Sequence, residues 1–382
     1  MKHWKQIPFF HAENENYNTT VAIIIPARNE AENILTLLKN IIQQSYNLAV
    51  VEIFVIDDDS EDATYQLVDQ FKAAHQTINL HLYRLKELCT DEKIVAHKKT
   101  AIEKAIALSN AELIITTDAD VAPSKNWIKT IVQFYNEKKM EAIAAPVLLC
   151  NEKNIGQQFQ ALDFCGMQII TAASLQAKMY NMANGANFAF TKKSFEAVNG
   201  YEGINYTASG DDMLLIYKIA KQFNGKVAYL KSLDAMVTTA VQPTLSSFLQ
   251  QRFRWTSKSG DYQDKRITLI LLTAFLFSVS IVINYIITIY FIVEMIFYSN
   301  KKSLNGLIFF YQVLFFVLLI LFQWISKTVV DYLLLKKATS FFQKEKLMHR
   351  FVIMECLHII YVFFVGFFGN ILPYNWKGRK LK

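Results

Sequence analysis

The sequence contains little cysteine, and its cysteines form no functional pattern. Among 382 residues there are four, with no CxxC pair and no spacing typical of metal ligands. The sequence therefore does not indicate a thiolate metal centre or a disulfide framework. We expect all four side chains to be reduced and buried: Cys89, Cys150, Cys165 and Cys356.

Charge is missing from three long stretches in the C-terminal third of the chain. Residues 267–293 and 304–326 contain no charged side chain, and residues 357–376 contain only His358. Each stretch reaches the roughly 20 residues that a helix needs to cross a bilayer. The pattern predicts an integral membrane protein with a C-terminal anchor.

The first 20 residues lack an apolar core of signal-peptide length. We therefore expect the chain up to about residue 266 to stay in the cytoplasm, at a bacterial-type inner or plasma membrane. Residues 1–20 are predicted to be an N-terminal extension.

The net charge of +7 does not indicate nucleic-acid binding, because the basic residues gather beside the apolar stretches. That distribution follows the positive-inside rule and favours anionic lipid headgroups. We expect no nucleic-acid partner. The basic residues concerned are Arg252, Arg254, Lys258, Lys265, Arg266, Lys327, Lys336, Lys337, Lys344, Lys346 and Arg350.

Three crossings from a cytoplasmic domain would leave a basic C-terminal tail outside, against the positive-inside rule. We therefore expect a re-entrant or interfacial element within 267–297 or within 329–342, which would make the number of crossings even. The tail residues concerned are Lys377, Arg379, Lys380 and Lys382.

Residues before 120 alternate between short β-rich runs and helical patterns. Four strands are predicted, at residues 21–25, 50–56, 80–83 and 113–117. Helical patterns lie between them, and a capping box from Asn29 to Glu32 is predicted to start the first helix. This order predicts an α/β fold with a mostly parallel, doubly wound sheet, whose ligands lie beyond the carboxyl ends of the strands.

Polar clusters follow three of these strands, at residues 26–30, 57–62 and 118–120. Each cluster alone could be explained by helix caps and helix dipoles. Together they place eight carboxylates where a site is expected, and these need cations. A divalent metal held by Asp118 and Asp120, bridged to nucleotide phosphates, would supply the charge.

Seven motifs, taken in order, resemble a family 2 glycosyltransferase with the GT-A fold. They are VAIIIPARNEAENI, VIDDDSEDAT, KKTAIEKAI, TTDADVAPSKNWI, NGANFAFTKKSFEAVNGY, GDDMLLIYKIAK and QQRFRW. The resemblance covers roughly residues 20–260, and YNWKGR at 374–379 is similar to the tail of membrane-bound members. It implies a catalytic domain over 21–265 that ends in an interfacial QxxRW helix. A transmembrane region of three to four helical segments follows over 266–382.

The resemblance also implies a set of donor-binding residues. They are Pro26, Arg28, Glu30, Asp57, Asp58, Lys98, Asp118, Gln251, Arg254 and Trp255. Asp120, with Asp118, would bind Mn²⁺ or Mg²⁺. The sequence departs from the family pattern at His97, where a glycine is usual, and this leaves Lys98 and Lys99 unranked. It also has Asp59 where glycine or asparagine is usual, a residue that tolerates the left-handed conformation.

The second half of the domain is expected to bind the acceptor. Asn184, Gly185 and Asn187 resemble the loop against the donor sugar and acceptor. Asp212 occupies the position of the catalytic base, and Asp211 replaces a glutamate that orients the acceptor. On a helix, Gln251, Arg254 and Trp255 share one face.

The sequence thus predicts an inverting glycosyltransferase that moves a sugar from a UDP- or GDP-linked donor to a lipid or lipid-linked acceptor at the membrane. Other proteins of envelope biosynthesis are further candidate partners. Two alternatives stay open at this point: a processive polysaccharide synthase, and a catalytically silent membrane scaffold with the same fold.

Overall fold

A computed structural model describes residues 1–13, 17–89, 94–180, 182–207, 210–299, 304–376 and 379–381. Lys377 and Lys382 of the basic tail lie outside these residues. The chain forms two compact units. The first unit comprises Met1–Phe248, Asp261–Asp264 and Tyr374–Lys382, and the second comprises Leu249–Gly260 and Lys265–Pro373.

The strands within the described ranges are β1 (Val21–Ala27), β2 (Val51–Asp57), β3 (Leu80–Arg84), β4 (Leu113–Thr116), β5 (Val121–Pro123), β6 (Ala142–Ala144), β7 (Val147–Cys150), β8 (Phe188–Thr191), β9 (Val227–Tyr229), β10 (Val237–Ala240), β11 (Tyr374–Trp376) and β12 (Arg379–Leu381). The helices are α1 (Lys2–Gln6), α2 (Ile34–Ile42), α3 (Thr64–Ala74), α4 (Leu85–Leu88), α5 (His97–Leu108), α6 (Trp127–Lys138), α7 (Ile155–Gln176), α8 (Lys192–Ala197), α9 (Asp211–Gln222), α10 (Leu245–Thr256), α11 (Lys265–Ser299), α12 (Leu304–Phe342) and α13 (Phe351–Phe368).

The main sheet has the strand order β3-β2-β1-β4-β8-β6-β9. The first four strands in this order are parallel, β8 is antiparallel to both of its neighbours, and β9 is parallel to β6. A second sheet has the order β5-β10-β7. The predicted mostly parallel sheet with flanking helices is confirmed.

Strand β1 forms the centre of the core. Residues 21–25 are completely buried, as expected for a β-branched run with helices on both faces of the sheet. The register pairs Ala27 with Asp57 and Ile24 with Thr116. The carboxyl ends of β1, β2 and β4 therefore open at one edge of the sheet, and all three polar clusters follow these ends.

The predicted capping box is wrong. Helix α2 begins at Ile34, its N-cap is Asn33, and Asn29 has a left-handed backbone with φ 53°. The Asn29 side-chain oxygen instead accepts a hydrogen bond from the backbone N–H of Glu61, so it connects two loops at the sheet edge. Asp59, which stands where glycine or asparagine is usual, has a left-handed backbone with φ 58°.

The second unit contains long apolar helices. Within the described ranges, three helical segments are long and apolar enough to cross a membrane, Lys265–Tyr298, Asn305–Phe342 and Glu345–Phe368. Helices α11 and α12 are continuous through 267–297 and 329–342, so neither stretch contains a break for a re-entrant turn. The even number of crossings stays a prediction.

The four cysteines all lie in the described residues and form no disulfide, which agrees with the predicted reduced state. Their predicted burial is confirmed for Cys89 and Cys165 only. Cys150 is half-buried, and Cys356 lies exposed on α13.

Candidate active site

Arg28 joins the first two polar clusters. Its Nη1 atom donates to the backbone oxygens of Asp58 and Asp59, both at 2.7 Å, and its Nη2 atom lies 3.2 Å from Glu61. The guanidinium is buried, and its planar fork fits two carbonyls and a carboxylate at once. Arg28 therefore fixes the loop after β2, and it does so from the end of β1.

The buried carboxylates at this edge of the sheet differ in their hydrogen-bond partners. Asp57 is 3% exposed; its Oδ2 accepts from Ser60 N–H, whereas its Oδ1 has no hydrogen-bond partner among the described residues. Asp58 Oδ1 lies 2.7 Å from His97 Nδ1. Glu30 accepts from the Asn33 amide at 2.9 Å, and Pro26 lies in β1 beside them. A buried acceptor without a donor is costly, and Asp57 Oδ1 therefore suits a ligand N–H or O–H.

Lys98 stands between carboxylates of both halves of the domain. Its ammonium lies 2.7 Å from Asp118 Oδ1 and 3.4 Å from Asp211 Oδ2. Burial alone would lower the pKa of Lys98, but the charges of Asp118, Asp211 and Asp212 raise this pKa well above its ordinary value. The lysine is therefore cationic at every physiological pH.

The neighbouring Lys99 makes different contacts. It is 1% exposed, and its ammonium donates to the backbone oxygens of Ile204 and Thr207. These bonds hold the segment that precedes α9. The structure thus distinguishes the two lysines that the sequence left unranked, because Lys98 contacts the carboxylates Asp118 and Asp211 whereas Lys99 bonds backbone oxygens.

Gly185 and Asp212 meet through the backbone. Gly185 N–H donates to Asp212 Oδ2 at 2.7 Å, and Met213 N–H donates to Asp212 Oδ1 at 2.6 Å. A Cβ atom on Gly185 would lie 2.9 Å from Asp211 Oδ2 and 3.1 Å from Lys98 Nζ, which explains the glycine. Asp211 is buried and Asp212 is half-buried, so Asp212 is the more accessible of the two carboxylates.

The two asparagines of the same loop are structural in their observed contacts. Asn184 Oδ1 accepts from Ala186 N–H at 3.0 Å. Asn187 is completely buried; it accepts from Trp127 Nε1 at 2.9 Å and donates to the backbone oxygens of Pro146 and Ala235, both at 2.8 Å. With these three bonds, Asn187 holds the loop in place, and its side chain does not face the Lys98 cluster.

Asp118 and Asp120 fit a divalent cation that is shared with a diphosphate. They lie on the short turn between β4 and β5, where the Asp118 side chain is 39% exposed and Asp120 is exposed. Asp120 Oδ2 accepts from Thr239 Oγ1 at 3.4 Å. Mg²⁺ and Mn²⁺ are commonly bound by one or two carboxylates together with substrate phosphates and water. The carboxylates of Asp118 and Asp120 are ligands of this kind.

The matching family model is described as glycosyltransferase like family 2, and it matches residues 18–257, more than half of the chain. The chain belongs to this family. The family predicted from the motifs is therefore confirmed.

Relatives of known name agree with the family. A probable glycosyltransferase of Bacillus subtilis, YdaM, is 23% identical over 248 residues, 64% of this chain and 56% of its own. A beta-monoglucosyldiacylglycerol synthase of a Nostoc species is 24% identical over 250 residues, 64% of this chain and 49% of its own. The chain thus spans about half the length of these relatives.

A solved structure shares the fold. The mannosyltransferase PcManGT from Pyrobaculum calidifontis, in complex with GDP-Man and Mn²⁺, aligns with a TM-score of 0.51 at 22% identity. The alignment covers 67% of this chain and 66% of the other. The likeness supports the GT-A fold.

Two tyrosines of this glycosyltransferase domain were missed in the sequence. Tyr201 is completely buried, and burial together with the charges of Asp211 and Asp212 raises its pKa well above the ordinary value. Burial and the charge of Asp212 also raise the pKa of Tyr262. Both phenols stay protonated at neutral pH and lie near the anionic pair. Tyr201 is the last residue of the motif NGANFAFTKKSFEAVNGY, and this position was the feature of the sequence that could have identified it.

The predicted QxxRW helix is α10, and from Leu249 onward it belongs to the second unit. Gln251, Arg254 and Trp255 all lie on it, half-buried. The sequence missed Arg252, which is buried with its guanidinium 4.4 Å from the ring centroid of Trp255. A cation over an indole face is attractive, so Arg252 fixes the orientation of Trp255.

Proposed function

We propose that this family member is an inverting, metal-dependent glycosyltransferase that moves a sugar from a UDP- or GDP-linked donor to a lipid or lipid-linked acceptor. The observation that carries the proposal is the Lys98 ammonium between Asp118 and Asp211. Asp118 follows β4, at the sheet edge assigned to the donor, and Asp211 begins α9, which carries the carboxylates assigned to the acceptor. The Lys98 ammonium contacts both of these carboxylates.

The donor nucleoside is assigned to the edge formed by β1 and β2. Asp57 Oδ1 is a buried acceptor that can receive a base N–H or a ribose hydroxyl. Arg28 holds the backbone of Asp58 and Asp59 beneath this pocket. Arg28 directs three of its N–H donors at this loop, so we assign it the role of shaping the pocket.

The diphosphate is assigned to the turn that carries Asp118 and Asp120. These two carboxylates would hold Mg²⁺ or Mn²⁺, which neutralises the charge of the leaving group. Lys98 lies beside Asp118 and adds a permanent positive charge at the same place. Gln251, Arg254 and Trp255 remain proposed donor contacts from α10.

Proton removal from the acceptor is assigned to Asp212. Its carboxylate accepts N–H bonds from Gly185 and Met213, and these fix its orientation. As the acceptor oxygen bonds to the anomeric carbon, the bond from that carbon to the diphosphate breaks, and the hydroxyl proton passes to Asp212. Attack opposite to the leaving group inverts the anomeric centre.

The acceptor class rests on the apolar helices. A chain with three helices long and apolar enough to cross a membrane keeps its catalytic domain near lipid headgroups. The relative from Nostoc is named for a monoglucosyldiacylglycerol product, which agrees with a lipid acceptor. We assign the catalytic domain to the cytoplasmic face, with other envelope-biosynthesis proteins as candidate partners.

The test is transfer by the detergent-solubilised full chain, incubated with radiolabelled sugar nucleotides and extracted bacterial lipid. We expect label in the lipid fraction with at least one UDP- or GDP-linked donor, and with Mn²⁺ or Mg²⁺ present. EDTA should abolish the transfer, and Asp120→Asn should do the same.

Three results would contradict the proposal. No transfer from any donor would favour a silent scaffold, and a growing polysaccharide in place of a single addition would favour a processive synthase. Full activity in EDTA or of Asp120→Asn would remove the metal role. Glu112→Gln, an exposed carboxylate near the same strand, is the control and should behave as wild type.

A further inference from the structure

Helices α11 and α12 form an antiparallel hairpin. Asn284 donates to Gln323 Oε1 at 2.9 Å, and Gln323 Nε2 donates to Ser280 Oγ at 2.9 Å. Farther along, the ring centroids of Tyr298 and Phe309 lie 5.5 Å apart. The first residue of α11 and the last residue of α12 therefore lie at the same end of the hairpin, which we call the entry end.

Helix α13 begins at the entry end. A short 3₁₀ segment, Glu345–Arg350, connects the end of α12 to the start of α13. The ring of Phe351, the first residue of α13, lies 5.5 Å from the ring of Tyr332, in the last third of α12. The chain thus enters α13 on the side where α12 finishes.

Helix α13 also ends near the entry end. The ring of Phe364 lies 6.1 Å from that of Phe253 on α10, and Asn370 Nδ2 donates to Ser259 Oγ at 3.4 Å. Gly366 packs so closely on Phe275 that a Cβ atom would lie 2.4 Å from its ring. Phe253 and Ser259 precede α11, and Phe275 lies in its first third. An 18-residue helix is about 27 Å long, so α13 has nearly the length of a crossing, but both its ends contact the entry end.

A charged cluster holds α13 against α12. Lys327 Nζ lies 2.5 Å from Glu355, 2.6 Å from Asp331 and 3.0 Å from His358 Nδ1. Lys327 directly follows the charge-free residues 304–326, which are long enough to cross the bilayer. The cluster therefore lies where α12 leaves the hydrocarbon.

The outer face of α13 is apolar and open. Val352, Ile353, Ile360 and Phe367 are 66%, 55%, 64% and 52% exposed. Such a face on a helix with both ends on one side suits the acyl region of a single leaflet. The basic residues directly before it, Lys344, Lys346 and Arg350, suit the headgroups of the same leaflet.

We propose that α13 is an interfacial helix embedded in the leaflet at the entry end, and that only α11 and α12 cross the membrane. Its partner is the lipid of that leaflet. Two crossings return the C-terminal tail to the side where α11 begins, which satisfies the positive-inside rule. The tail strands β11 and β12 belong to the first unit.

Single cysteines in an otherwise cysteine-free full chain test the proposal. The sites are Gln343→Cys after α12, Asn305→Cys at the far end of the hairpin and Asn370→Cys after α13. An impermeant maleimide is applied to intact bacteria and to lysed bacteria. We expect Asn305→Cys to react in intact cells, and Gln343→Cys and Asn370→Cys to react only after lysis.

The proposal is overturned if Asn370→Cys reacts on the same side as Asn305→Cys, or if all three positions react alike. The depth of a spin label at Ile360→Cys is the second measurement, with Leu318→Cys on α12 as its matched reference. We expect Leu318 to be near the bilayer centre and Ile360 to be shallower. Equal depths would show that α13 reaches the centre, and the one-leaflet assignment would fail.

Discussion

Each unit of the molecule contains a lysine between two carboxylates. In the first unit Lys98 lies between Asp118 and Asp211, and in the second Lys327 lies between Asp331 and Glu355. Both lysines are largely buried. The shared chemistry makes the differences around the two clusters informative.

The cluster around Lys98 is open and has surplus negative charge. The Asp118 side chain is 39% exposed, and Asp212 adds a third carboxylate beside Asp211. The cluster around Lys327 is closer to balance and more enclosed: Glu355 is 3% exposed, and His358 completes the shell of the ammonium. Asp331, Glu355 and His358 have the separation of metal ligands, but Lys327 already contacts all three. A lysine between two carboxylates thus indicates a ligand-binding site only where a further carboxylate remains accessible to a ligand.

The largest effect is expected at Asp212, the third carboxylate of the open cluster. Asp212→Asn keeps the size of the side chain but removes the basic oxygen, so we expect transfer to slow by about 10²–10⁴-fold with nearly unchanged nucleotide affinity. Initial rates and calorimetric titration with the nucleoside diphosphate measure the two quantities.

Two variants serve as comparisons for Asp212→Asn. Asp211→Asn should cost less in rate, and Asp58→Asn should weaken nucleotide binding more than it slows turnover. Equal, small effects of all three on the rate would show that the base is assigned wrongly.

The second prediction removes the cation of the open cluster. Lys98→Met should slow transfer by about 10²–10³-fold, because a fixed positive charge beside the developing diphosphate is lost. It should also make Asp118 and Asp211 repel each other. Lys39→Met, at an exposed lysine on α2, is the matched control and should keep the wild-type rate. A wild-type rate for Lys98→Met would make the cluster merely structural.

The third prediction removes the cation of the closed cluster. Lys327→Met leaves Glu355 buried without its partner, and we expect the helical unit to lose about 3–5 kcal/mol of stability. Nucleotide affinity of the first unit should not change. Unfolding titrations in detergent, run beside nucleotide binding, measure both. A loss of nucleotide affinity with unchanged stability would reverse the distinction between the clusters.

The smallest effect is expected at Gly185, where the open cluster meets the backbone. In Gly185→Ala the new Cβ atom would lie 2.9 Å from Asp211 Oδ2 and 3.1 Å from Lys98 Nζ, and both must shift. We expect transfer to fall by roughly tenfold, since small misplacements of catalytic groups are costly. Gly260→Ala, which meets nothing within 4 Å, is the control. Equal rates for the two variants would show that the cluster tolerates the extra atom.

Much of the fold followed from local pattern. The apolar runs located β1, β2, β3 and β4 to within two residues, because continuous β-branched runs bury both faces of a strand. The clusters after the strands were also foreseen, since parallel strands bring their carboxyl ends to one edge.

The remainder depended on packing between distant segments. Lys98 and Lys99 are adjacent on α5 and point about 100° apart, so only the seating of α5 decides which one reaches the carboxylates. Asn187 looked like a ligand-binding residue, although its partners at Trp127, Pro146 and Ala235 are 41 to 60 residues away. Composition marked α13 as a crossing, and only its contacts show that its ends lie together.

The three bonds of Asn187 have a consequence for synthesis on the ribosome. The loop with Gly185 cannot reach its final form until residue 235 has left the exit tunnel, because the Ala235 carbonyl receives one of those bonds. By then β1, β2, β3 and β4 have long emerged and can form their local parallel units. We expect nascent chains released at residue 200 to leave this loop open to protease, and chains released beyond residue 264 to protect it. The half of the domain assigned to the acceptor would thus be the last to assemble.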